Sequence, residues 1–206
     1  LYQALGWQTP RFAHIPLIHG PDGAKLSKRH GALGAEAYRD MGFLPEALRN
    51  YLLRLGWSHG DEEIISTEQA IEWFDIADAG RSPSRFDLAR LTSLNAHYIK
   101  AADIARLVDL CMERLCAEEG RLQVDQAIAR ERLANGMEGL RQRAKTMVEL
   151  ADSTDLYIKS RPLEMTEKAQ SQLTEEARAM LKAIHTLFDG LQIWEQPALE
   201  QVVKGF

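Results

Sequence analysis

The clearest structural signal in this sequence is the segment Asp103-Ile104-Ala105-Arg106-Leu107-Val108-Asp109-Leu110-Cys111-Met112-Glu113-Arg114-Leu115. Its apolar residues recur at the spacing that places side chains on one face of an α-helix. Asp103 stands immediately before the first apolar residue, where its carboxylate can accept hydrogen bonds from the free amides of a first helical turn. The segment therefore predicts an amphipathic helix that begins after Asp103 and packs one face against other helices.

Helical signals continue on both sides of this segment. Pro45 is a proline at the start of a helix whose apolar period continues to Gly56, and Ser66 with Gln69 forms a capping box for the next helix. Further helices are predicted around residues 88–98, 127–133, 140–150 and 174–188. The greater part of the chain is therefore predicted to be a helical bundle.

Strand character is confined to the first residues, apart from a brief strand-like run at 156–158. Residues 12–18 are rich in β-branched and aromatic side chains, Gly20-Pro21-Asp22-Gly23 has turn composition, and residues 24–27 supply a short second arm. Pro16 indicates that the first arm is an edge strand or irregular, since proline cannot donate to a sheet. The sequence predicts a mainly α fold with a short β-hairpin at its N-terminus.

Composition excludes several classes of protein. The 206 residues are 45% hydrophobic and 27% charged, which is typical of a globular chain and excludes a disordered or collagen-like one. No apolar run approaches the roughly 18 residues of a membrane span, and no secretory signal is visible. Cys111 and Cys116 are spaced for neither a disulfide nor a zinc site, so no metal site is predicted.

A short basic segment, Lys25-Leu26-Ser27-Lys28-Arg29-His30-Gly31, follows the predicted hairpin turn. The net charge of the chain is −5, yet residues 1–60 carry seven lysines and arginines against four acidic residues. Three cations within five positions, followed by glycine, suit a loop that contacts a polyphosphate. The alternative interpretation is a solvated basic turn without a ligand.

This segment resembles the KMSKS signature of class I aminoacyl-tRNA synthetases, in the KLSKR form typical of glutamyl-tRNA synthetases. Leu26 stands where the signature has Met, and Arg29 where it has a final Ser. The flanking segments are similar to the family in the same order, namely Leu5-Gly6-Trp7, Leu17-Ile18-His19-Gly20-Pro21-Asp22-Gly23, Tyr51-Leu52-Leu53-Arg54-Leu55-Gly56-Trp57-Ser58 and Leu94-Asn95-Ala96-His97-Tyr98-Ile99. The resemblance is strong over residues 1–100 and rests on the helical pattern over 101–206.

The resemblance implies an enzyme that activates glutamate with ATP, carried with Mg²⁺, and transfers it to the 3′ end of tRNA(Glu). It implies that Lys25 and Lys28 are catalytic and hold the ATP phosphates. Residues of the same segment would bind ATP, namely Lys25, Leu26, Ser27, Lys28 and Arg29. It also implies a monomer in the cytoplasm without membrane association. The open alternative is a non-catalytic helical RNA-binding or interaction module with a relic loop.

The family's domain order implies three segments in this chain. Residues 1–102 would hold the end of the catalytic domain, with the KMSKS-type loop and a stem-contact region. Residues 103–161 and 162–206 would be the first and second parts of a helical anticodon-binding domain of the bacterial type. The family's HIGH-type motif and nucleotide-binding domain would precede Leu1, so the chain by itself is expected to be an inactive C-terminal fragment.

A second group of basic residues is predicted to contact tRNA. They lie around the linker at 80–84 and along the helix that follows, where they could track RNA phosphates, and are Arg81, Arg85, Arg90, His97 and Lys100. The alternative is an ordinary solvated helix face.

Overall fold

A computed structural model describes residues 1–26 and 34–206 of the chain. The chain divides into two compact units, Leu1–Ser160 and Arg161–Phe206. Helix accounts for 58% of the described residues and strand for 3%, which confirms the prediction of a mainly α fold. Within the described ranges, no helix has the length and apolar character needed to cross a membrane.

The first unit contains a two-stranded sheet and most of the helices. Its strands are β1 (Ile18–His19) and β2 (Ser84–Arg85). Its α-helices are α1 (Ala35–Asp40), α2 (Pro45–Gly56), α3 (Thr67–Trp73), α4 (Leu88–Ala101), α5 (Ile104–Ala117), α6 (Gln126–Arg141), α7 (Met147–Asp152) and α8 (Asp155–Ile158). The second unit contains α9 (Glu167–Gln172), α10 (Glu175–Asp189) and α11 (Gln196–Gly205).

Several helix starts agree with the sequence analysis. The Asp103 carboxylate accepts the Arg106 amide at 3.0 Å at the start of α5, and Ser66 with Gln69 forms the complete capping box of α3. Such caps satisfy amides that have no partner inside the helix. The segment at 156–158 was predicted to be strand-like, and this prediction is wrong, because these residues belong to α8. Ile158 is fully buried and packs in the core of the bundle, so its apolar character reflects burial in a helix.

The β-structure is smaller than the sequence suggested. The turn of the predicted hairpin is present, with an antiparallel bridge between His19 and Lys25, but the first arm contributes only Ile18 and His19 to a strand. β1 instead pairs in parallel with β2, which aligns Ile18 with Ser84 and His19 with Arg85. This pairing brings the turn next to the start of α4.

Two clusters of buried side chains hold the first unit together. In the larger one, α5 packs against α6 and α7, and α6 packs against α8. Its fully buried large residues include Leu107, Leu115, Leu133, Met137 and Leu150. The smaller cluster lies beneath the sheet and consists of Tyr38, Phe43, Tyr51, Phe86 and Leu91.

The fully buried side chain of Asn95 joins the segment after α1 to the segment before α7. Its Oδ1 accepts the Leu44 amide at 2.7 Å, and its Nδ2 donates to the carbonyls of Lys145 at 2.7 Å and Gly42 at 3.3 Å. Gly42 has a φ of +87°, and a Cβ there would lie 2.7 Å from the nitrogen of Val148. Only glycine allows this close approach without strain.

Candidate functional site

The turn that precedes the basic segment is fixed by short-range hydrogen bonds. The Gly20 amide donates to Ala24 O at 2.8 Å, and the Leu26 amide donates to Ile18 O at 2.9 Å. Gly23 has a φ of +80°, which a tight turn requires. Leu26 packs against the smaller buried cluster, whereas Lys25 is exposed. The predicted ATP-binding segment therefore starts from an anchored base, with the Lys25 side chain in solvent.

Three of the predicted ATP-binding residues, Ser27, Lys28 and Arg29, lie outside the described residues. The described structure resumes at Gly34, which is the N-cap of α1. The other end of α1 is held from the helical bundle, since Arg114 of α5 donates to the main-chain carbonyls of Arg39 and Asp40. Helix carbonyls at this end have no partner within the helix, so a guanidinium is a favourable cap.

Three of the five predicted tRNA-contacting residues line one cavity. This cavity, here called the arginine cavity, has a volume of about 360 Å³ and lies between α2, the loop before α3 and the start of α4. Arg85, Arg90 and His97 line it. Arg81, which is exposed in the linker before β2, and Lys100, which is exposed in the last turn of α4, do not line the cavity.

Two further charged residues of the arginine cavity were missed by the sequence analysis. Arg54 of α2 and Glu63 of the following loop both line it. One carboxylate oxygen of Glu63 lies 3.0 Å from Nη2 of Arg90 and 3.4 Å from Nη1 of Arg54. Arg54 is three residues after Tyr51 and shares its side of α2, a helical spacing that the sequence contains. Glu63 has no comparable signal, because its place depends on how the loop folds back.

A buried asparagine determines where Glu63 lies. The Asn50 side chain is 3% exposed, donates to Glu63 O at 2.8 Å and accepts the Ile65 amide at 2.6 Å. Buried main-chain groups need such partners, so these two bonds fix the path of the loop. The Glu63 backbone is thereby held while its side chain extends toward the arginines.

The wall of the arginine cavity on the α4 side is equally well defined. Asp87 is the N-cap of α4 and accepts the Arg90 amide at 3.1 Å, and its own amide donates to the Tyr51 hydroxyl at 2.6 Å. Burial raises the pKa of Tyr51, so its hydroxyl stays neutral and can accept this bond near neutral pH. The first turn of α4, which carries Arg90, is thus tied to α2.

Arg85 lies at the junction between the cavity and the turn. It is in β2, opposite His19, and its Nη2 lies 3.7 Å from the point where a Cβ on Gly23 would be. Its guanidinium therefore reaches the turn that leads into the basic segment and also lines the arginine cavity. The turn before the basic segment and the arginine cavity are therefore neighbours in space, although Gly23 and Arg85 are more than 50 residues apart in sequence.

A second, larger cavity lies between α2 and α3 and has a volume of about 840 Å³. Arg106 closes one side of it with a two-pronged ion pair to Glu46, at 2.5 and 3.1 Å. Burial raises the pKa of the Glu46 carboxyl, but the hydrogen bond and charge of Arg106, a hydrogen bond from the backbone amide of Glu46 and the charge of Arg49 together outweigh burial and lower the pKa. This pair joins α2 to α5.

In residues 1–26 and 34–206 no metal site is visible, and one of the two thiols is buried. No three His, Cys, Asp or Glu side chains in these ranges come close enough together to hold a metal ion. Cys111 is fully buried, and burial raises the pKa of its thiol to about 12. It is therefore a neutral core residue at physiological pH.

Comparisons with known proteins give two family matches that together cover the chain. Residues 1–93 match the family described as "tRNA synthetases class I (E and Q), catalytic domain", and residues 92–206 match "Anticodon binding domain". The chain is 58% identical over 205 residues to a glutamate–tRNA ligase 2 of Paramagnetospirillum magneticum and 57% identical over 206 residues to that of Rhodospirillum centenum. These matches cover 99% and 100% of the chain, but the chain spans only 43% and 44% of those two proteins.

Solved structures support the same fold. A glutamate tRNA ligase of Elizabethkingia meningosepticum, crystallised with its amino acid, superposes with a TM-score of 0.75 at 23% identity, over 99% of this chain and 43% of that one. A glutamate-tRNA synthetase of Elizabethkingia anophelis gives a TM-score of 0.63 at 25% identity, over 94% and 44%. The two family matches meet at residues 92 and 93, whereas the boundary predicted at 102 stays a prediction.

Proposed function

Because the chain belongs to the glutamyl-tRNA synthetase family, whose C-terminal portion it matches, we propose that it supplies the ATP loop and the tRNA-binding region of a glutamate–tRNA ligase. The full-length enzyme activates glutamate with ATP and transfers it to the 3′ end of tRNA(Glu). The observation that supports this most directly is the basic segment Lys25-Leu26-Ser27-Lys28-Arg29 at the end of an anchored turn. A monomer that works in the cytoplasm belongs to the same proposal and rests on the family resemblance.

Within this proposal, Lys25 and Lys28 stabilise the ATP phosphates while the glutamate carboxylate attacks and pyrophosphate leaves. Negative charge grows on the departing phosphates, and cations held close to them lower the barrier. Leu26 anchors the base of the loop, Ser27 and its backbone support the nucleotide, and Arg29 reinforces the positive charge. Mg²⁺ would arrive bound to the ATP as part of the substrate.

We assign tRNA binding to basic residues of the first unit and to the helical region formed by residues 103–206. Arg85, Arg90 and His97 would contact backbone phosphates at the arginine cavity, and Arg81 and Lys100 would extend the contact along the surface. Residues 103–161 and 162–206 are proposed as the two parts of the anticodon-binding region.

The loop assignment is tested by Lys28→Ala in the full-length enzyme, measured as pre-steady-state adenylate formation. We expect the rate to fall roughly 10²–10³-fold, the usual cost of about 3–4 kcal/mol for losing one transition-state donor, with a smaller effect on ATP binding. Lys25→Ala should have a milder effect and Arg29→Ala the mildest. Lys182→Ala is the matched control, because Lys182 is an exposed lysine of α10. A Lys28→Ala enzyme with an unchanged rate and only a raised KM for ATP would contradict the assignment.

The tRNA assignment is tested on the 206-residue chain itself. It should bind labelled tRNA(Glu) weakly and release it as salt rises, because phosphate contacts displace counterions. Pyrophosphate exchange with glutamate, ATP and tRNA should stay at background, since the chain spans under half of its relatives. Binding that does not weaken with salt would reject phosphate contact, and clear exchange activity would reject the division of labour proposed here.

A further inference from the structure

The arginine cavity contains an arrangement that the proposed tRNA contacts do not explain. A single carboxylate oxygen of Glu63 lies within ion-pair distance of both Arg54 and Arg90, at 3.4 and 3.0 Å. Arg85 and His97 line the same cavity. Arg90, which is proposed to contact RNA, and its neighbour Arg54 therefore already face a negative charge supplied by the protein.

Glu63 is held at this place by its backbone and is free to move at its side chain. The buried Asn50 bonds to Glu63 O and to the Ile65 amide, so the loop keeps its path without help from the carboxylate. The side chain of Glu63 is 69% exposed and that of Arg90 is 58% exposed. The pair of Glu63 with Arg90 is therefore an exposed ion pair between long side chains, which is weak, so another anion can replace the carboxylate at Arg90 at little cost. The side chain of Arg54, the second partner, is 20% exposed.

We infer that Glu63 is an internal counter-ion that occupies the place of an RNA phosphodiester and is displaced when tRNA binds. This inference rests on the proposed function and adds to it a residue that sets the affinity of the site. Carboxylate and phosphate oxygens both accept paired hydrogen bonds from the planar guanidinium group of arginine. This group stays protonated, so its positive charge is present whichever anion binds. While Glu63 faces Arg54 and Arg90, a phosphate must compete for these donors, which keeps the affinity low and release fast.

A purely structural role for the ion pair is the competing explanation, and the chain offers a matched control for it. Glu62 is the adjacent residue, is also exposed, and has no ion-pair partner among the residues that the structure describes. Glu63→Gln and Glu62→Gln remove the same charge one position apart, so long-range electrostatics change almost equally. Only Glu63→Gln removes the competitor from the cavity.

The experiment measures the affinity of the 206-residue chain for tRNA(Glu) at several salt concentrations. We expect Glu63→Gln to tighten binding roughly two- to fivefold, the range that exposed ion pairs span, and to do so more than Glu62→Gln. Because the same phosphate is neutralised once Glu63 is displaced, the log–log salt slope should change by less than the roughly 0.7–0.9 that one added phosphate contact would give. Adding Arg90→Gln to Glu63→Gln should abolish the gain, because Arg90 is one of the donors set free.

Each result has a defined meaning for the two proposals. If the unmodified chain binds tRNA but Glu63→Gln changes affinity no more than Glu62→Gln, the counter-ion role is refuted and the proposed function stands. If neither the unmodified chain nor any variant binds tRNA, both proposals fail. Inorganic pyrophosphate serves as the second probe, and tighter binding of pyrophosphate by Glu63→Gln without tighter binding of tRNA also overturns the inference.

Discussion

Replacing Asn95 by leucine should strongly destabilise the first unit, although the new side chain has a similar size. The Leu44 amide would lose its partner in a buried place, which costs about 1–3 kcal/mol, and the partly buried Lys145 carbonyl would lose one at about 1 kcal/mol. Gly42 O keeps its hydrogen bond from the Met147 amide at 2.9 Å, so losing the bond from Asn95 adds little to the loss of stability. The expected loss is about 2–4 kcal/mol, a large part of the 5–15 kcal/mol that typically separates folded from unfolded protein.

Urea unfolding followed by circular dichroism measures this loss directly. With a typical slope of about 2 kcal/mol per molar urea, the midpoint should fall by about 1–2 M at an unchanged slope. Asn135→Leu is the control, because Asn135 is exposed on α6 and its replacement should stay within about 0.5 kcal/mol. A loss below about 1 kcal/mol for Asn95→Leu would refute the reasoning, since it would mean that the buried main-chain groups find other partners.

Three further predictions concern stability and reactivity. Gly42→Ala should lower the urea midpoint, because its φ of +87° costs a non-glycine residue roughly 1–3 kcal/mol and its Cβ would meet main-chain atoms at 2.7 Å; an unchanged midpoint would contradict this. Iodoacetamide should label Cys116 and spare Cys111 in the folded chain, as mass spectrometry would detect, because Cys111 is buried and its thiol has a pKa of about 12. The pKa of Glu46 is lowered in the folded chain, so its contribution to stability is complete above about pH 4.5 and is lost as the pH falls through the folded-state pKa. Between about pH 6 and about pH 3, Glu46→Gln should therefore lose less stability than the unmodified chain. Equal losses in the two proteins would show that the pair with Arg106 does not carry this dependence.

Several helix starts could be predicted from the sequence because their causes are local. The single helix predicted around 140–150 is wrong, because α6 continues to Arg141 and α7 begins only at Met147. Asp103 accepts an amide three residues ahead, and the Ser66 capping box spans four residues, so both interactions are contained in a short window. The turn at Gly20–Gly23 is equally local. The parallel pairing of β1 with β2 is not, because these strands are more than 60 residues apart and each contributes only two residues. No periodic pattern can form over so short a strand.

The candidate site was predictable to the extent that its residues share a helix. Arg90 and His97 are seven positions apart, which turns the helix by about 700° and leaves their side chains only about 20° apart, so the sequence places both on one face. Lys100 is three residues further and about 80° away from Arg90 by the same geometry, which is why it does not line the cavity. Helical spacing thus explains why His97 lines the arginine cavity together with Arg90 and why Lys100 does not.

The remaining members of the site depend on contacts that no local spacing encodes. Arg85 reaches the cavity because β2 pairs with β1, and Glu63 reaches it because the buried Asn50 fixes the loop. Both contacts also connect the site to its surroundings, since Arg85 lies against the turn that precedes the basic segment. A phosphate that displaces Glu63 would therefore bind near the turn that precedes the proposed ATP loop. The same tertiary contacts, which no local spacing encodes, place Arg85 both in the arginine cavity and against the turn before the proposed ATP-binding segment.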